Sequence, residues 1–209
     1  MLRHLSLALL LLAPGSAGAL PLISEAFYDA AGSDQGLGFV ELYGSPGESL
    51  DGLSIEGVNG SNGDVGPVLV LSGTIPADGF FVVADDRGDG SSEVATADLI
   101  LNFDFQNGPD SIVLLSASGV LDALAYGAFA PGDVVAGEGT PAPDPPAGSS
   151  LARAFANVDT NDNAADFIAL ETPTPGFGPL ALVPEPASAA LLASGLLGLA
   201  ASGGRARRS

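Results

Sequence analysis

No stretch between residues 20 and 179 sustains a 3.6-residue apolar period, which leaves amphipathic helices and βαβ units without support. The apolar and β-branched residues come instead in short runs bounded by Gly, Pro, Asp and Ser. These runs span 22–28, 39–43, 50–58, 68–75, 80–84, 98–103, 111–116, 120–126 and 151–155. Breakers such as Ser45-Pro46-Gly47 and Pro76-Ala77-Asp78-Gly79 stand between them. Many short strands at this spacing predict an all-β fold, an antiparallel sandwich. Ala117-Ser118-Gly119 joins two runs closely enough for a hairpin. Residues 131–150, dominated by Gly, Pro and Ala, cannot form a ladder and read as a long exposed loop.

Charge and residue usage narrow the chemistry. All 25 acids lie between Glu25 and Glu185, and only Arg87 and Arg153 oppose them there, so that segment carries −23. Nucleic acid is excluded as a partner, because a phosphate backbone calls for clustered Lys and Arg. The chain has no Cys, and its one His is His4. Thiol catalysis, disulfides, an imidazole base and the usual zinc site therefore have no residues to work with beyond the first segment.

The two ends read differently from the middle. Residues 1–19 combine Arg3 and His4, an apolar run over 5–13, the breaker Pro14-Gly15 and the small residues Ala17 and Ala19. That is the pattern of a secretory signal peptide cut by signal peptidase, with a mature start at Leu20. At the other end, Pro184, Glu185 and Pro186 precede a run of Ala, Leu, Ser and Gly over 187–201, and Arg205, Arg207 and Arg208 follow. At about 1.5 Å per residue such a run spans roughly 22 Å, a short transmembrane helix. The arginines keep that end cytoplasmic as a membrane stop and leave the preceding chain outside.

The order of Pro184-Glu185-Pro186, apolar run and basic end over 183–209 resembles the PEP-CTERM sorting signal of exported proteins of Gram-negative bacteria. This resemblance implies a transient stay in the inner membrane and processing by an exosortase. Residues 20–179 carry a second resemblance, to the lamin-tail domain, an immunoglobulin-like antiparallel β-sandwich. It rests on Ile23-Ser24-Glu25-Ala26-Phe27-Tyr28, Gly38-Phe39-Val40-Glu41-Leu42-Tyr43, Leu50-Asp51-Gly52-Leu53-Ser54-Ile55 and Gly79-Phe80-Phe81-Val82-Val83. It continues in Gly119-Val120-Leu121-Asp122-Ala123-Leu124-Ala125-Tyr126, Ser150-Leu151-Ala152-Arg153, Asp166-Phe167 and Pro173-Thr174-Pro175-Gly176. The family implies a module that binds or scaffolds without chemistry of its own. The expectation is thus a non-enzymatic binding or structural module of the cell envelope or the exopolysaccharide matrix, with exopolysaccharide or envelope proteins as its partners.

Two other readings stay open on particular residues. Glu25 and Glu41 form a carboxylate pair that a matrix polysaccharide hydrolase could use. Asp159, Asn161, Asn163 and Asp166 have oxygen spacing that a calcium-dependent adhesive module could use, although Ala164 replaces the Gly of a calcium loop and Leu170 its terminal Glu. Asp and Asn in such a cluster also make side-chain-to-backbone turns. A calcium reading of Asp85-Asp86-Arg87-Gly88-Asp89-Gly90 is weakened by Arg87 at the third ligand position and Thr96 at the twelfth. Tyr28, Phe39, Tyr43 and Phe80 read as core or cross-strand pairs.

Overall fold

The computed structural model describes residues 20–182. The signal segment, the 183–186 motif, the apolar run and Arg205, Arg207 and Arg208 lie outside the described residues. Among the described residues no helix is long and apolar enough to cross a membrane. The strands are β1 (Leu22–Phe27), β2 (Phe39–Tyr43), β3 (Ser54–Asn59), β4 (Val65–Val70), β5 (Phe80–Asp85) and β6 (Leu99–Leu101). They continue with β7 (Asp110–Ser116), β8 (Gly119–Tyr126), β9 (Ser150–Arg153) and β10 (Phe167–Leu170), with one helical turn, α1 (Asn163–Asp166), before the last. Six strands form one sheet in the order β10-β9-β1-β2-β5-β6, and β4-β3-β7-β8 form the second. The chain is an all-β sandwich.

Alternation within the strands builds the core. Val40, Leu42, Phe81 and Val83 point inward from the large sheet and meet Ile55, Leu69, Ile112, Leu114 and Leu124 from the small one. Tyr28 stacks on Tyr126 with ring centroids 4.1 Å apart, closing one end of this core. The opposite set of side chains on the large sheet is also covered. Phe27, Phe39, Val82 and Ala84 pack with Val94 into a second apolar cluster outside it. Tyr43 and Phe80 are cross-strand partners in edge contact at 5.1 Å, a pairing role rather than an exposed platform.

Several boundaries differ from the sequence expectation, each for a local reason. The run 50–58 begins as a turn, with Gly52 at φ 86, and becomes strand only at Ser54. The run expected at 68–75 pairs over Val65–Val70 instead. Pro67 is tolerated because β4 is an edge strand, where a missing N–H need not break a ladder. Leu71 and Ile75 remain buried, as core plugs from the following turn. The purely antiparallel expectation fails at one place: β6 runs parallel to β5. The intervening chain, from Asp86 to Asp98, is long enough for the crossover that a parallel pair requires. The 131–150 segment is not simply exposed, since Ala142 is fully buried and bonds to Ala125 and Gly127 beside β8. The hairpin across Ala117 and Ser118 forms as expected.

Leu114 is fully buried between the sheets. Leu114→Ala should lower unfolding free energy by about 2–5 kcal/mol through lost burial and the cavity left behind. Val70→Ala, at an exposed edge position, should change it by about 0.5 kcal/mol or less. Urea midpoints at constant m-value check both.

Candidate functional site

Arg153 at the end of β9 is fully buried, and every side of its guanidinium is used. Nε donates to Ile23 O at 2.8 Å, and Nη1 donates to Val158 O and to Asp166 Oδ2 at 3.1 and 2.8 Å. Nη2 donates to both oxygens of Asp122 at 2.8 and 2.9 Å. The Phe167 ring lies 4.6 Å from the guanidinium carbon. This one side chain therefore ties β9 to β1, β8 and the chain around α1. An arginine suits the task because its planar fork offers five donors in fixed directions.

The acids around it outnumber it. Asp159 Oδ1 stands 3.5 Å from Nη1, and Asp122, Glu138 and Asp159 bring one oxygen each within 4.8 Å of one another. Burial first, then the charges of Asp122 and Asp159, push the Glu138 carboxyl up to about 7, against the pull of Arg153. Glu138 Oε2 is buried without a hydrogen-bond partner among the described residues. The positive charge of this cluster is thus supplied internally, by Arg153.

Of the calcium quartet expected from sequence, Asp159, Asn163 and Asp166 have side-chain oxygens engaged by the protein. Asn163 Oδ1 accepts the Ala125 and Glu138 amides, each at 2.9 Å, and its Nδ2 donates to Ala123 O. Asp166 accepts from Arg153 and from the amide and hydroxyl of Thr160. Asp159 accepts the Asn161 amide at 2.9 Å, and Asn161 sits at φ 57, a conformation Asn tolerates. These residues build a turn and fasten it to the β8 edge. In the 85–90 segment, Asp86 Oδ1 likewise accepts the Gly88 and Gly90 amides, and Arg87 pairs with Glu93.

Glu25 and Glu41 are brought together. They are register partners on β1 and β2, both about 1 % exposed, on the outer face of the large sheet. Two adjacent carboxylates out of water require donors. Ser150 and Ser24 hydroxyls supply one each. The remainder comes from a strap formed by the chain after β10. Thr174 donates its amide and hydroxyl to Glu25 at 2.9 and 2.8 Å, and the Gly176 amide donates to Glu41 at 2.6 Å. The cavity left beside Glu41 measures about 40 Å³, room for a water but not for a sugar ring. Burial, with Glu25 adding to it, pushes the Glu41 carboxyl up to about 8 against those bonds. Burial also raises Glu25.

Sequence reasoning singled out Glu25, Glu41 and the Asp/Asn cluster but missed the central part of Arg153, Asp122 and Glu138. The signal was present: Arg153 and Asp122 each interrupt an otherwise apolar strand, which is costly unless the two meet. The chain matches no family model, no curated protein and no solved structure.

Two measurements test this geometry. Arg153→Met leaves Asp122 and Asp166 buried without their cation and should cost about 3–5 kcal/mol, while Arg153→Lys, which keeps the charge and loses the fork, should recover only part. Chemical denaturation at one pH resolves the three proteins. The second concerns pH. Glu41 holds its proton more tightly folded, at about 8, than at its ordinary 4.5, so its contribution is complete below 4.5 and lost as pH rises through 8. Glu138, held at about 7, acts in the same direction. The melting temperature should therefore fall by several degrees between pH 5 and pH 8, and Glu41→Gln should flatten that slope.

Proposed function

We propose that the chain is an exported, non-enzymatic binding or structural module of the cell envelope or exopolysaccharide matrix of a Gram-negative bacterium. On this reading the sandwich is immunoglobulin-like, of the lamin-tail type. Signal peptidase removes residues 1–19, the 187–201 run holds the chain transiently in the inner membrane, and an exosortase acts at the Pro184-Glu185-Pro186 motif. One observation carries the reading: Glu25 and Glu41 are committed to holding the strap that leads into the tail. The same strap covers the acids that a hydrolase would have to present to a polysaccharide, which is why we place that reading second. Ser150, Thr174 and Gly176, from two segments of the lamin-tail resemblance, join Ser24 in donating to these acids, and the first of those segments also carries Arg153.

The test lies in processing. Prolines at 184 and 186 have no backbone donor and disfavour helix at Val183 and Glu185, so the peptide ahead of the run suits a protease cleft. In a host with an exosortase, mass spectrometry should find mature protein that begins at Leu20 and lacks residues 191–209. Replacing Pro184, Glu185 and Pro186 by Ala should leave the intact tail in the inner membrane. Persistence of the unaltered chain there with its three arginines attached overturns the sorting reading, and hydrolysis of matrix polysaccharide that is lost in Glu25→Gln overturns the non-enzymatic one.

A further inference from the structure

We propose that the end of the sandwich from which the chain leaves at Leu182 is a lipid-contacting face, which lays Phe155, Phe177 and Leu180 against the bilayer that holds the 187–201 run. This rests on the anchor reading above and adds an orientation to it.

Strand register within each sheet, with the Tyr28–Tyr126 stack and the Ile23–Asp122 bond between the sheets, defines the two ends. One carries the starts of β1, β3, β5 and β8 with the ends of β2, β4, β7 and β9; the other carries the reverse. The far end is acidic. Asp34, Asp85, Asp86 and Asp104 line an open groove there, Asp144 accepts from Tyr28, and Asp29 accepts from Asn107. The near end is apolar where the strap finishes. Ala156 donates to Pro179 O at 2.8 Å, and Asn157 holds Ala181 through both its amide and its carbonyl at 2.7 and 2.9 Å. The backbone of this segment is fastened down. Its large side chains nevertheless face solvent: Phe177 is 68 % exposed, Phe155 47 % and Leu180 45 %.

Exposed aromatic and aliphatic side chains on a fixed backbone mark a contact surface, and three facts select lipid as the occupant. First, only Val183, Pro184, Glu185 and Pro186 separate Leu182 from the apolar run. Fully extended, the five Cα-to-Cα steps from Leu182 to Ala187 reach at most about 18 Å, so an inserted run keeps this end at the membrane surface. Second, the charge is polarised. Anionic lipid repels the acidic end and so turns the apolar end toward the bilayer. Third, Leu20, the expected mature start, is exposed and precedes Pro21, which lies against Gly44 at the same end. The near end also carries Glu48, Asp51 and Asp78 in its turns and Asp159 beside Arg153, so the contact is weak alone and depends on the tether for effective concentration. Removing the tail would then release the domain.

The chain has no Trp, which makes a single introduced indole a clean reporter. Full-length Phe177→Trp and Gln35→Trp, the latter at the acidic end, are placed in vesicles of mostly phosphatidylethanolamine with some phosphatidylglycerol, with and without brominated acyl chains. Flotation reads the anchor and quenching reads the face. The expected result is flotation of both, with Phe177→Trp quenched at least about twofold more than Gln35→Trp, as for a side chain at the acyl boundary. Flotation with equal, weak quenching overturns the face and leaves the anchor standing. Failure to float removes the anchor and this proposal with it. A blue-shifted Phe177→Trp emission that grows with protein-to-lipid ratio and ignores bromine shows a second copy on the surface instead, and also overturns the proposal.

Discussion

A guanidinium sealed between two sheets sets the terms for the rest of this molecule. Arg153 has no access to water, and an ion in that position survives only when its hydration is replaced acceptor for acceptor. The replacement comes from Asp122, Asp166 and the carbonyls of Ile23 and Val158. Because those groups belong to β1, β8 and the chain around α1, satisfying one side chain fixes the relative positions of both sheets at that end. The acids exceed the single cation, and Glu138, with its affinity for a proton raised to about 7, relieves part of the excess by binding a proton.

The same logic governs the acidity of the whole domain. With two arginines among the 24 acids from Glu25 to Glu171, ion pairs cannot satisfy most carboxylates. Backbone amides do so instead. Asp85 accepts from Gly36 and Phe103, Asp110 from Gly60 and Gly108, and Asp98 from Val82. Each such bond to a charged acceptor contributes about 1.5–3 kcal/mol, and each joins loop to strand. A surface that looks from composition like unbalanced charge is in good part a set of tethers. Glu25 and Glu41 tether the strap by the same kind of bond, Glu41 as a carboxyl that keeps its proton up to about 8.

Much of this was legible in residue order, and the failures have identifiable causes. Strands with strong alternation, such as Phe39–Tyr43 and Phe80–Asp85, fell where the pattern placed them. Val65–Val70 was misplaced because Pro67 reads as a breaker unless the strand is known to be an edge. Phe167–Leu170 has only four residues and too little alternation to register; it exists because β9 offers it a partner. Glu25 and Glu41 were visible as a pair, yet nothing local disclosed that a segment as distant as Thr174 would cover them.

The sequence by itself determined the class of fold, its main turns and its hairpin, since period-two alternation and the conformational limits of Gly, Pro and Asp act over a few neighbouring residues. Only the tertiary structure decided the strand order, the parallel β6 and which acids are buried. Those outcomes depend on contacts such as Arg153 with Ile23, 130 residues apart, and Thr174 with Glu25, 149 apart. A carboxylate in a strand is identical in sequence whether it faces water or a guanidinium, and the difference arises when a distant part of the chain closes over it.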